Sequence, residues 1–213
     1  MSNSNHCTCN HQKRLFLQQS LATSTLLLPF PAIAKFIRQG VTSFSGQVYI
    51  NGLRVKGLGM PVHSNDYIAV SANSHLSFVI GQDAYFLEAN TTLQLQSKKR
   101  SNGFFSTGLK LFRGAFLAAF GEGRKKVYTP HVTIGIRGTG IYLKALPQQT
   151  YFCTCYGETE IILPQQAPKI IRSTHHQAQI IQNHQITPSV MQMHHDQQNM
   201  ALESLVQRQN PFL

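Results

Sequence analysis

The feature that most restricts this chain is a succession of short apolar runs, alternating in twos and broken by Gly, Asn, Asp or Ser, from Gly40 to Leu163. Neighbouring side chains of a strand point to opposite faces, so such alternation builds sheet, whereas a helix needs apolar residues three and four apart. Val48 and Ile50 alternate with Gln47 and Tyr49 before the turn pair Asn51-Gly52. Tyr67 to Val70 follows Ser64-Asn65-Asp66, Leu76 to Ile80 follows Asn73, and Tyr85-Phe86-Leu87 precedes Thr92 to Gln96. Val132, Ile134 and Ile136 alternate with Thr133, Gly135 and Arg137; Gly138 interrupts, and Ile141 and Leu143 resume. The pattern predicts one mainly β domain, built as a sandwich, a roll or a short solenoid.

The ends read differently. Residues 1–34 carry no acid, begin basic at Lys13 and Arg14, run apolar through Leu21, Leu26, Leu27, Leu28 and Phe30, and close on Ala32-Ile33-Ala34. That order of basic, apolar and small residues is a secretory signal peptide and predicts a periplasmic protein. Ser20 to Ala34 is too short, and too interrupted by Pro29 and Pro31, for the ~20 apolar residues of a membrane span. Gln12-Lys13-Arg14-Leu15-Phe16-Leu17-Gln18 resembles the twin-arginine export motif, with Lys13 where the first arginine belongs. Residues 164–213 form a polar, His- and Gln-rich tail, expected to be irregular until a short helix after Asp196 as N-cap. That helix pairs Leu202 with Val206 and Ala201 with Leu205.

Charge narrows the partners. The chain carries +11, and loss of Lys13 and Arg14 with the leader leaves +9, which favours an anionic cell-envelope polymer or an acidic envelope protein. Lys98, Lys99, Arg100, Lys110, Arg113, Arg124, Lys125 and Lys126 are interleaved with Phe104, Phe105, Phe112, Phe116 and Phe120, a mixture that also suits nucleic acid. Leu109, Leu111 and the Phe116 to Phe120 run read as core rather than as a stacking platform, so no nucleic-acid partner is expected. Acids are few, and no nucleophile elbow, P-loop or paired-carboxylate spacing occurs; the expectation is a non-catalytic protein.

Four cysteines fall as two Cys-x-Cys pairs, too sparse for a disulfide framework. Cys7 and Cys9, with His6 and His11, belong to the leader. Tyr151, Cys153 and Cys155 lie two apart and share one face of a strand, with Gly157 expected to begin a turn into Glu160 to Leu163. With His175 or His176, Cys153 and Cys155 make a Cys2His-type set for copper or zinc. Redox thiols, or buried cysteines acting as small hydrophobes with no cofactor, are the alternatives. Arg137-Gly138-Thr139 also has two readings: an anion site, or an internally paired arginine beside a glycine bend.

Taken together, these residues resemble the FecR family. The run Thr129-Pro130-His131-Val132-Thr133-Ile134-Gly135-Ile136-Arg137-Gly138-Thr139-Gly140 looks like its signature. Gly46-Gln47-Val48, Asn51-Gly52, Gly57, Asn65-Asp66 and Phe78-Val79-Ile80-Gly81 with Asp83-Ala84-Tyr85 support it, over Gly40 to Leu163. Tyr151 to Gly157, Thr174-His175-His176, Leu202-Glu203 and Pro211-Phe212 are similar to a subgroup of stand-alone exported proteins. The resemblance implies a β-rich binding or sensing module of envelope signalling, with Thr129, Pro130, Arg137, Gly138 and Thr139 as ligand or structural motif. Fuller members add a cytoplasmic segment that contacts a sigma factor; the short leader here has no room for one.

Overall fold

The structure is a computed structural model and describes residues 37–100 and 103–212; the leader reading, residues 1–34, lies outside them. The chain is mainly β. Its strands are β1 (Gly40–Ser45), β2 (Val48–Ile50), β3 (Leu53–Arg54), β4 (Tyr67–Val70), β5 (His75–Ile80), β6 (Asp83–Leu87) and β7 (Thr92–Arg100). They continue as β8 (Gly103–Ala119), β9 (Arg124–Tyr128), β10 (Thr133–Ala145), β11 (Thr150–Ile162), β12 (Lys169–Ser173), β13 (Gln177–Gln182) and β14 (Gln185–Ser189). One short helix, α1 (Asp196–Leu205), follows.

All strands belong to one open, branched sheet. Three long strands each change partners part-way. β8 pairs first with β7, then lies between β6 and β10. β10 runs from a place between β9 and β11 to one between β8 and β11. β11 pairs with β13 through its first half and with β12 through its second. Where they switch, the strands bend. Gly114 in β8 has φ +86°, and a Cβ there would lie 2.4 Å from Thr91 Cα. Gly157 in β11 has φ +88° and faces Gly138 and Thr139 of β10, so close that a Cβ would meet Gly138 O at 2.7 Å. Gly157 therefore does not begin a turn; the strand continues through it to Ile162. Close approach of this kind, with positive φ, admits only glycine without strain.

The bends give the sheet two arms that enclose one core. Val48, Ile50, Ile68, Leu93, Leu109, Leu111, Val127, Ile134 and Ile161 face inward from β2, β4, β7, β8, β9, β10 and β11. They meet Phe78, Tyr85, Leu87, Phe116, Leu143, Phe152 and Ile181 from β5, β6, β8, β10, β11 and β13. The Leu109, Leu111, Phe116 and Phe120 side chains read as core are buried. Lys125, counted among the basic residues, is buried as well; its Nζ lies 3.1 Å from Asp83 Oδ1, which also accepts the Gly121 N–H at 2.9 Å.

One arm is apolar on its other face too. Val79, Ala84, Ala115, Leu117, Ala119, Tyr142, Cys153, Cys155 and Ala178 form a second cluster, covered by Leu202 and Val206 from α1 and its C-terminal end. Sheets buried on both faces lose the polar half of their alternation, which is what β8 shows in Ala115-Phe116-Leu117-Ala118-Ala119. The segment read as irregular after Pro168 instead extends the sheet before α1 covers it: β12 and β13 pair with β11, and β14 forms an edge in which Pro188 is tolerated. The N-cap of α1 is His195, one residue before Asp196, and its N–H donates to Gln198 Oε1 at 3.1 Å. Among the described residues no helix is long and apolar enough to cross a membrane.

Candidate metal centre

Alternation along β11 places Cys153 and Cys155 on the doubly covered face, both fully buried. His176 arrives from the β12–β13 connection in the left-handed region, φ +43°, anchored by its N–H to Cys155 O at 2.8 Å. His194 arrives from the linker between β14 and α1. Tyr151 holds that linker, donating its hydroxyl to Val190 O at 3.1 Å and accepting the Gln192 N–H at 2.9 Å. The His194 ring then stacks on Tyr142, centroids 4.5 Å apart and planes 5° from parallel.

The four ligand atoms of Cys153, Cys155, His176 and His194 all lie within 4.8 Å of one another. Cys153 Sγ is 3.6 Å from His176 Nδ1, Cys155 Sγ is 3.5 Å from His194 Nε2, and the two nitrogens are 3.2 Å apart. A regular tetrahedron with zinc–sulfur bonds of about 2.3 Å and zinc–nitrogen bonds of about 2.0–2.1 Å has S···N edges of about 3.6 Å and an N···N edge of about 3.3 Å. These three edges match those of a zinc tetrahedron, and the remaining separations are all under 4.8 Å.

Protons make the same point. His176 Nε2 lies 2.6 Å from Asp196 Oδ1, and His194 Nδ1 lies 2.7 Å from Gln192 O. A carboxylate and a carbonyl only accept hydrogen bonds, so these contacts assign the N–H to the outer nitrogen of each ring. Both inner nitrogens then present lone pairs to each other and to two sulfurs. Four electron-pair donors converge on one buried point, an arrangement that a cation satisfies. Acceptors fixing the far nitrogen of each imidazole are the usual outer partners of metal-bound histidine.

The thiols are unequal. A hydrogen bond from Cys155 lowers the Cys153 thiol below its ordinary value, while burial pushes Cys155 up. Asn199 of α1 is fully buried, and neither its amide nitrogen nor its oxygen has a hydrogen-bond partner of normal geometry.

Of the candidate ligands, Cys153, Cys155 and His176 come together, and His175 does not join them. Its side chain is 59% exposed, with Nε2 on Asp196 Oδ2 at 3.0 Å, so it shares the carboxylate that orients His176. The fourth ligand is His194, which sequence reasoning missed because nothing in a linker marks it until α1 folds back.

The signature residues lie away from this centre. Thr129 Oγ1 accepts the N–H groups of His131 and Val132 at 3.2 and 3.1 Å, shaping the turn into β10 beside exposed Pro130. Thr139 is buried and donates its hydroxyl to the backbone, with Arg137 O at 3.0 Å and Glu158 O at 2.9 Å, pinning β10 to β11 at the bend. Gly138, φ +57°, supplies that bend. Arg137 is exposed, not paired inside the fold, and lines a surface cleft with Arg124, Lys126, Glu158 and Glu160.

No protein-family model and no curated protein matches the chain. Three solved chains match. Two are crystal structures of a "putative anti-sigma factor" from Parabacteroides distasonis ATCC 8503, at 2.50 and 1.65 Å resolution. The chain is 14% and 15% identical to them, with TM-scores of 0.47 and 0.46, and each alignment covers 58% of this chain and 58% of the other.

Proposed function

We propose that this chain is a zinc-binding protein: an exported, FecR-like β domain that holds one zinc ion in a closed Cys153-Cys155-His176-His194 centre and catalyses no reaction. The observation that carries the reading is the convergence of two sulfurs and two proton-free imidazole nitrogens at tetrahedral spacing, within 4.8 Å of one another. All four positions belong to the protein, the pattern of a structural site; catalytic zinc keeps one position for water or substrate. Charge favours zinc over copper. Two thiolates balance the charge of Zn2+, whereas with Cu+ they would leave a net charge of minus one in a buried site, a costly state without a partner.

The frame of this proposal comes from the signature run Thr129 to Gly140 and the order of residues in the leader. Export in the folded state would allow the metal to be loaded beforehand. The exposed Arg124, Lys126 and Arg137 side chains on one surface cleft suit an acidic envelope protein or anionic polymer as partner.

Metal analysis of protein purified without chelator tests the reading. One zinc per chain is expected, with loss of binding in Cys155→Ser and in His194→Ala. A wild-type protein that is folded and takes up no zinc from a buffered zinc solution refutes the centre, and tighter binding of Cu+ than of Zn2+ under the same conditions refutes the choice of metal.

A further inference from the structure

The arm built on β2, β4, β7 and β9 is open to solvent on its outer face, where Tyr67, Lys110, Phe112, Arg124, Lys126 and Arg137 are exposed. Strand alternation turns these side chains away from Leu95, Leu109, Leu111, Val127 and Ile134, which face the core. The pairing registers then set them in rows across the strands. One row takes Tyr67, Gln94, Lys110 and Tyr128. The next runs from Gln96 through Gly108, Lys126 and Gly135 to Glu160. A third takes Arg124, Arg137, Glu158 and Arg172. Neighbouring strands lie about 4.8 Å apart, so the five positions of the middle row extend roughly 19 Å. Gly135 has no side chain to fill that row, which is the floor of a cleft of about 750 Å3 with Arg124 and Arg137 along its side.

Among the described residues, Arg172 and Glu158 form the one ion pair on this face, which leaves Lys110, Arg124, Lys126 and Arg137 without a carboxylate partner. Past Gln96, β7 continues into Lys98-Lys99-Arg100. Unpaired cations gathered on one surface call for an anion. The same face presents aromatic rings. Tyr67 is 44% and Phe112 38% exposed, their centroids are 5.8 Å apart, and Lys110 Nζ lies 5.0 Å from the Phe112 centroid. Ring faces pack against the C–H faces of sugars, amides and a carboxylate bond hydroxyls, and cations take acidic substituents. We infer that this face binds an anionic polysaccharide. The inference deepens the partner part of the reading above and is independent of the metal. Glu158 and Glu160, set among the bases, oppose a nucleic acid with a phosphate on every nucleotide, whereas a polysaccharide brings hydroxyls from which they accept. A folded acidic protein would need an apolar centre to its interface, and the floor of this cleft is Lys126 and Glu160.

The test is isothermal titration calorimetry of the full chain as purified, with polygalacturonate and chondroitin sulfate as probes. Dextran, polyglutamate and single-stranded DNA serve as comparisons, and zinc content and melting temperature are measured on every sample. Binding of at least one charged polysaccharide is expected, stronger than that of polyglutamate or DNA, with none of neutral dextran. Lys126→Gln combined with Arg137→Gln is expected to weaken it at least about tenfold. Tyr67→Ala is expected to weaken polysaccharide binding about three- to tenfold and to leave polyglutamate binding unchanged. Phe112→Ala, expected to act alike, replaces it should Tyr67→Ala fail to fold. Polyglutamate bound as tightly as either polysaccharide, or ring variants that bind as the wild type does, overturns the saccharide and leaves an acidic protein as the partner. Tighter binding of DNA overturns it in favour of nucleic acid. No binding of any anionic polymer overturns the partner reading as well, while the zinc content judges the metal centre separately.

Discussion

Replacing Asp196 by Asn tests the centre at its most informative outer contact. The carboxylate accepts from His176 Nε2 at 2.6 Å and from His175 Nε2 at 3.0 Å, and these hydrogen bonds, His175 first, hold its pKa below the ordinary value, so it stays charged throughout the neutral range. An amide of the same shape can still accept one weaker, neutral bond, but it can also rotate its NH2 toward His176. In that pose it favours the imidazole tautomer with its proton on Nδ1, the nitrogen that faces Cys153 Sγ at 3.6 Å. Loss of an outer partner typically costs ~10–100-fold in metal affinity, which is about 1.4–2.8 kcal/mol. Asp196→Asn should therefore weaken zinc binding by about that factor while keeping one zinc per chain. Competition against a chromophoric chelator reads the affinity. The helix-end effect of losing a charge in the first turn of α1 is assessed separately by melting the zinc-free proteins, where it should be under about 1 kcal/mol. An unchanged zinc affinity would mean that His176 does not bind through Nδ1, and the assigned geometry would be wrong.

Three further outcomes follow from the same contacts. Because the Cys153 thiol is lowered, zinc binding in weakly buffered solution at neutral pH should release fewer than the two protons that a pair of ordinary thiols would give up; pH-indicator titration counts them, and a release of two would refute the lowered thiol. Gly157→Ala forces a Cβ onto Gly138 O at 2.7 Å with φ at +88°, and should cost about 1–3 kcal/mol, seen as a lowered melting temperature with unchanged zinc stoichiometry. Asp83→Asn leaves Lys125 buried opposite a neutral group and should cost about 3–5 kcal/mol in denaturant unfolding, most of it recovered when Lys125→Met is added.

Strand alternation made much of the fold legible. Residues from Val48 to Leu143 that alternate in sequence alternate across the sheet, and the apolar Ala115–Ala119 run is the interior strand its composition describes. Two elements were misread for identifiable reasons. β13 and β14 are rich in Gln because they end the sheet and face solvent, and that composition hides the apolar Ala178, Ile180 and Ile181 beneath it. Gly157 looks like a turn because glycine marks both turns and bends; only the pairing of Glu158 to Ile162 with β10 tells them apart. For the centre, the Cys-x-Cys spacing was enough to place two ligands on one face. Choosing His176 over His175 depends on which imidazole the β12–β13 connection turns inward, and His194 depends on where a helix docks, and neither is a local property.

The three bent strands have a consequence for how the molecule comes apart. β8, β10 and β11 each run through both arms of the sheet, so no line drawn between elements separates one arm from the other. Melting either arm requires releasing half of every one of these strands, which strips the partners from the half that remains. The sheet should therefore lose its structure in a single cooperative step, without a surviving half-domain, and should regain it slowly, since the pairings that join the arms bring together residues far apart along the chain.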